Sequence, residues 1–205
     1  MTPILLIGGG GHCHAVIDVI EAGSAYTVAG IVQPASDGTA PVLGYPVLGS
    51  DEDLPRLLAA TPNALITVGQ IKSPAIRQRL HATLHQLGAA RPVVLSPLAR
   101  LSRHARVEAG SVVMHGVLVN AGARVGCNAI LNSMALIEHD VRIGNHCHIS
   151  TGARINGGAV IGDGCFIGSG AIIGNGVTIG ADSVIGAGCV VTRDLPEKSF
   201  QKGRA

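Results

Sequence analysis

From Leu101 to Val191 every sixth residue is Leu, Val or Ile, without slip or insertion. The position four further on is small or of modest size, as at Ala105, Ser111, Ala123 and Cys147. Glycine often follows the aliphatic residue, as at Gly126, Gly144 and Gly162. A period of six matches neither the roughly 3.6-residue repeat of an α-helix nor the roughly two-residue alternation of a strand. It matches a parallel β-helix, in which each hexad supplies one short strand and one turn. Three hexads close a triangular coil, and coils stack about 4.8 Å apart with the aliphatic side chains inside. Residues 95–195 are assigned to this domain.

Ahead of it the pattern is different. Ile4 to Ile7 is a short, fully apolar run, as in a buried parallel strand. Gly8 to Gly11 and His12 follow, and then Ala15, Val16, Val19 and Ile20 at helical spacing up to Gly23. Further strands are expected at Thr27 to Val32, at Ala64 to Val68 and, last, at Pro92 to Leu95. A short strand pair is expected within Pro41 to Ser50, and helices are expected from Asp51 to Ala60 and from Pro74 to about Leu87. Residues 1–94 therefore read as a small Rossmann-like α/β domain of three or four parallel strands. It joins the β-helix with almost no linker. Pro196 is expected to end the last coil and leave 196–205 as a polar tail.

Strand, glycine loop and helix open a nucleotide-binding unit, because glycines let backbone N–H groups approach a phosphate at a helix N-terminus. The dinucleotide fingerprint is incomplete. Cys13 stands where its third glycine would be, and the second strand runs into Gln33 rather than an acid. A phosphate or sugar-nucleotide site, a structural tight turn and a full NAD site all remain open on this pattern.

Composition narrows the classes. Aromatic residues are 2% of the chain and Trp is absent, which suits an aliphatic β-helix interior. The net charge of +2, without a basic run, gives no sign of a nucleic-acid partner or an anionic membrane. No apolar run approaches the roughly 20 residues that span a bilayer, and the N-terminus enters a strand without a signal-peptide pattern. A cytoplasmic location is expected. Cys147, Cys165 and Cys189 fall on inward hexad positions, and no CxxC pair signals zinc or redox chemistry.

Polar clusters stand out on a scaffold that needs none. Glu138, His139 and Asp140 share one hexad, and His146 and His148 fall in the next. A histidine beside a carboxylate is the smallest general-base device, and the bland alternative is a solvated turn. His104 and His115 read as solvated turn residues. A three-histidine metal site is the other chemistry that these nitrogens could serve. One coil either way His139 meets Ala121 and Gly157, and His148 meets Ile130 and Phe166, so stacked ligands within one protomer are not supported.

Three stretches carry a family resemblance: Gly10-Gly11-His12 with Asp18, then Asn132 with Ala135 and Ile137-Glu138-His139-Asp140, then Ile143-Gly144 with His148. Together they resemble the sugar O/N-acetyltransferases of the sialic acid O-acetyltransferase and bacillosamine-pathway family, over nearly the whole chain. The resemblance implies a left-handed β-helix, a homotrimer with active sites between subunits, and acetyl transfer from acetyl-CoA without a metal. The acceptor would be an amine or hydroxyl of a sugar, nucleotide-linked or of sialic type, in surface glycan synthesis. It implies His139 as general base, Asp140 raising its basicity and Asn132 positioning the site. His148, Gly157, Ser169 and Ala187 would meet the cofactor, and His148 or backbone N–H groups could hold the oxyanion. Gly10, Gly11, His12, Gln33 and Gly69 would lie at the sugar or its diphosphate. The chain departs from family members at Gln33-Pro34, where uridine-binding relatives can carry acids, and at its end, Gly203-Arg204-Ala205, which lacks proline. A metal-dependent β-helix hydratase and a non-catalytic sugar-nucleotide scaffold are the readings from other classes.

Overall fold

The computed structural model describes residues 1–203; the last two residues of the proline-free ending lie outside the described residues. The first domain holds β1 (Thr2–Ile7), α1 (Gly11–Ala22), β2 (Tyr26–Val32), β3 (Val47–Gly49), α2 (Leu54–Ala60), β4 (Ala64–Ile66) and α3 (Ala75–Gln86). Its strands form one parallel sheet in the order β3-β2-β1-β4. β1 is central and reads as an unbroken apolar run because both its faces are covered. Ile4 and Leu6 pack with α1, while Leu5 and Ile7 pack with α2 and α3. The expected strand pair in 41–50 is instead β3 beside β2, preceded by a Val42–Tyr45 bridge.

The second domain is a left-handed parallel β-helix of two-residue rungs in three sheets. The rungs pair with a constant offset of one coil, as in Arg124–Val125 against Arg142–Ile143. The inward aliphatic column is closed to solvent through most of its length, and Cys147 and Cys165 point their thiols at the carbonyls of Gly162 and Gly180.

Two boundaries move. Val94–Leu95, expected as the last strand of the α/β sheet, pairs with Val112–Val113 and is the first rung of the β-helix. At the other end Pro196 does not stop the coils. Leu195 bridges Ile179, and Phe200–Gln201 pairs with Val184–Ile185, so the tail adds another rung.

The α/β domain docks on the sheet that carries Val94, Val112, Ile130 and His148, and polar links through Asp18, Arg77 and Gln70 help fix it there. Asp18 of α1 accepts from His115 Nε2 at 2.9 Å, and His115 Nδ1 is bonded to Ser96 Oγ at 2.6 Å. His115 is thus a bridge between domains rather than a solvated turn residue. Arg77 of α3 is 1% exposed and donates to the carbonyls of Ile66, Val68 and Asn128 and to Asn128 Oδ1, at 2.7–3.2 Å. Gln70 donates from its amide to the Gly164 carbonyl at 3.1 Å. Among the described residues no helix is long and apolar enough to cross a membrane.

Candidate active site

The glycine loop forms the floor of a cavity of about 390 Å³, bounded by Gly8 to His12, by Thr67 to Gly69, and by Asp37, Asp51 and Arg79. Gly8 has φ +108°, and a Cβ there would meet Val68 Cγ2 at 2.6 Å, so the close approach of this loop to the end of β4 requires glycine. α1 begins after Gly10, its N-cap, with no side-chain cap and no acid in its first turn. Its leading N–H groups are therefore offered to the cavity, with the positive end of the helix dipole behind them.

Gln33 does not line this cavity. It is buried, its amide braces the carbonyls of Asp37 and Gly38, and its Oε1 abuts Gly9. Its neighbours Val32 and Pro34 line the cavity, with the Gln33 side chain behind Gly9. The acids missing at the end of β2 arrive from further along, as Asp37 and as Asp51, which pairs with Arg79 at 3.2 Å. Sequence reasoning missed all three: short turns rather than a strand end deliver the two acids, and Arg79 stands on α3.

A second cleft opens where the domains meet, lined by Gly11, His12, Gly69 and Gln70 on one side and Asn132 and His148 on the other. His148 Nδ1 lies 2.6 Å from the Gln70 carbonyl. A carbonyl only accepts, so Nδ1 carries the proton and Nε2 is a lone pair, which receives the Asn132 amide at 3.2 Å. Burial and the nearby Arg77 charge hold the His148 pKa down to about 4, against the pull of that carbonyl. Neutral in this tautomer, His148 offers a lone pair rather than a proton at Nε2. His12, 6.4 Å away between ring centres, is pushed to about 3 by burial, Arg77 and His148.

The corner above Asn132 continues upward through Ser150, Ser169 and Ala187. Ser150 and Ser169 share a hydroxyl bond of 3.0 Å. Gly152, Gly170 and Gly188 flank this column, and a Cβ on any of them would point into open space. The result is a bare, glycine-edged column leading away from His148.

His139 and Asp140 stand on a different corner, between the rungs Leu136–Ile137 and Arg142–Ile143. His139 Nδ1 is 3.0 Å from Asp140 Oδ2. The carboxylate must accept, so Nε2 is the free basic nitrogen. Asp140 reaches this position from a left-handed backbone, φ 61°. Its hydrogen bond and charge, reinforced by Glu138, raise the His139 pKa above the ordinary histidine value. Glu138 is itself held by Asn120 at 2.9 Å and by the His139 N–H at 3.2 Å. Gly157 packs under the His139 ring. Within one chain Asn132 therefore joins His148, not His139, and Gly157 joins His139, not the Ser169 column. Among the described residues no three His, Cys, Asp or Glu side chains form a metal-holding group.

Comparison with known proteins fits this arrangement. Residues 3–84 match the PglD N-terminal domain, and residues 158–193 match the bacterial transferase hexapeptide (six repeats). No curated protein matches the chain. Among solved structures, a histidine mutant of perosamine N-acetyltransferase from Caulobacter crescentus, in complex with CoA and GDP-perosamine, is 36% identical with a TM-score of 0.91. That match covers 99% of this chain and 94% of the other. The acetyltransferase domain of PglB from Neisseria gonorrhoeae, in complex with acetyl coenzyme A, is 31% identical with a TM-score of 0.90, covering 98% of this chain and 96% of the other. Matching such an enzyme over most of its length and in both domains, the chain belongs to the hexapeptide-repeat sugar-nucleotide acetyltransferase family.

Proposed function

We infer that this protein transfers acetyl from acetyl-CoA to an amine of a nucleotide-linked sugar, with His139 as the general base. The observation that carries the reading is the His139–Asp140 pair, which leaves Nε2 outside the carboxylate bond on an exposed ring, in a chain similar throughout to an enzyme held with CoA and GDP-perosamine. His139 Nε2 takes a proton from the amine as its nitrogen bonds to the acetyl carbonyl carbon. The carbon–sulfur bond breaks, and the proton passes to the departing sulfur to give free CoA thiol. Backbone N–H groups of the coil turns stabilise charge on the carbonyl oxygen. His148, Ser169 and Ala187 line the path proposed for CoA. Gly10, Gly11, His12 and Gly69 form the cleft proposed for the sugar and its diphosphate. A cytoplasmic setting, where acetyl-CoA and nucleotide sugars are made, suits this chemistry.

The protein acts as a homotrimer on this reading. The base stands on one corner of the prism, while the glycine cleft and His148 belong to another sheet and the corner beside it. A second copy brings its His139 corner to the first copy's cleft. Release of free thiol from acetyl-CoA, followed against a panel of nucleotide-linked amino sugars with His139→Ala alongside, tests the reading. Turnover with one acceptor that the substitution abolishes is expected. Turnover that survives His139→Ala would remove the base assignment, and no turnover with any acceptor would remove the function.

A further inference from the structure

The turn that carries the base rests on a preceding coil fitted to it. Asn120 and Glu138 occupy the same turn position one coil apart, directly after the paired rungs Leu118–Val119 and Leu136–Ile137. The Asn120 side-chain amide donates to Glu138 Oε2 at 2.9 Å, and the same oxygen accepts the His139 backbone N–H at 3.2 Å. A carboxylate only accepts, so the amide must turn its nitrogen toward Glu138. The neighbouring N–H groups of this turn are held by coil carbonyls. Glu138 donates to Ile155 at 2.9 Å and Asp140 donates to Ala121 at 3.0 Å. Among the described residues the His139 N–H has only the Glu138 carboxylate. Two residues beyond Asn120, Gly122 leaves room for the Asp140 carboxylate, which a Cβ there would meet. The coil before the base thus supports both of the carboxylates that flank it.

We propose that Asn120 is a positioning residue for acetyl transfer: it pins the Glu138 carboxylate, which in turn anchors the main chain of His139 and keeps a negative charge beside its ring. The inference rests on the acetyl-transfer reading and deepens it, since it extends the machinery of the base to a residue one coil away. A glutamate on a surface turn samples several rotamers, and each one that swings away releases the His139 N–H to water. An amide donor on a charged acceptor restrains it more strongly than a bond between neutral groups would. A base set slightly out of place loses rate rather than substrate affinity.

Asn120→Ala removes the donor. Asn120→Asp keeps the shape but sets a second carboxylate against Glu138. Both are assayed beside Glu138→Ala and the double variant Asn120→Ala/Glu138→Ala, for kcat, both KM values, pH profile and melting temperature. Asn120→Ala is expected to lower kcat about 5- to 50-fold with both KM values within about twofold. Its acidic limb is expected to move to lower pH, because the Glu138 charge that favours the imidazolium is no longer held near the ring. The double variant is expected to turn over within about twofold of Glu138→Ala alone, since Asn120 acts through that carboxylate. Wild-type kcat and limb in Asn120→Ala overturn the proposal. So does a loss that adds fully to that of Glu138→Ala, or one that appears in acceptor KM with the limb unmoved. If Asn120→Ala does not fold, Asn120→Asp decides: kcat lost with both KM values kept supports the proposal, and kcat kept overturns it. A wild type that turns over no nucleotide-linked amino sugar overturns the acetyl-transfer reading, and this inference with it; an active wild type matched by Asn120→Ala overturns this inference alone.

Discussion

The imidazole of His139 lies against Gly157, one coil further along, where a Cβ would come within 2.6 Å of Nε2 and 2.8 Å of Cε1. The base needs bare backbone beneath it. The ring is exposed on its other side, so it can swing away from an added methyl without disturbing the coil. Gly157→Ala is therefore expected to keep the fold while displacing the base. Misplacing a reacting group by about 1 Å costs on the order of 100-fold in rate, against about 10²–10⁴-fold for removing the base in His139→Ala. Both variants should bind CoA nearly as wild type does. Circular dichroism with steady-state kinetics checks this, and a Gly157→Ala enzyme of normal kcat would show that the ring pose is not the productive one.

Asp140 sets the acidic limb of the pH profile. Its hydrogen bond and charge raise the His139 pKa, and the base works only when neutral. Activity should therefore rise with pH through that raised value, above the usual histidine range near about 6.5. Asp140→Asn removes the charge, lowers the pKa, and moves the limb to more acid pH while lowering kcat, because the imidazole is then a weaker base. His12 and His148, held at about 3 and about 4, are neutral throughout this window and should add no limb of their own. A limb that stays in place in Asp140→Asn would mean another group titrates.

Arg77 holds the two domains together from inside. It satisfies three carbonyls and one side-chain oxygen and has no carboxylate partner among the described residues, and burial holds its pKa down to about 9. Arg77→Met leaves those acceptors buried without donors, at about 1 kcal/mol or more each. The sum is on the order of 3–4 kcal/mol, which for a chain of this size corresponds to about 5–15 °C in melting temperature. Calorimetry checks it. An unchanged melting temperature would mean that the interface does not limit stability.

How much of this could be read from the chain follows from where each interaction reaches. The hexads announce the β-helix because each inward residue stacks on its own equivalent, so the pattern and the fold repeat together. His139 and Asp140 are legible because neighbours in sequence make the bond. Gly157 under His139 follows from the coil length of eighteen residues, as in the pairing of Leu136 with Arg154. Arg77 is not legible. An arginine in a polar helix reads as solvated, as Arg79 on the same helix is, and docking against Asn128 buries Arg77. The His148 tautomer is equally hidden, since it is set by a Gln70 carbonyl from the other domain. Pro196 misleads because proline punctuates many turns, while the rung at Phe200–Gln201 depends on an open sheet edge four residues later.

The separation of base and cleft within one chain gives the last prediction. His139 stands between two sheets, and His12, Gln70 and His148 gather where the α/β domain covers the third. If each site takes its base from one subunit and its cleft from the neighbour, two inactive variants can repair each other. His139→Ala lacks the base but keeps the cleft, and His12→Ala keeps the base but spoils the cleft. Co-expressed in equal amounts and assembled at random, they form intact sites at about one interface in four, since each interface needs the right variant on both sides. Activity of the mixture should recover to about a quarter of wild type, though neither variant is active alone. Differently tagged subunits, purified through both tags in turn, allow the mixed trimers to be assayed apart from the pure ones. Mixed assemblies without activity would place the base and the cleft of each site in the same chain, and would leave the exposed His139 corner without its proposed partner.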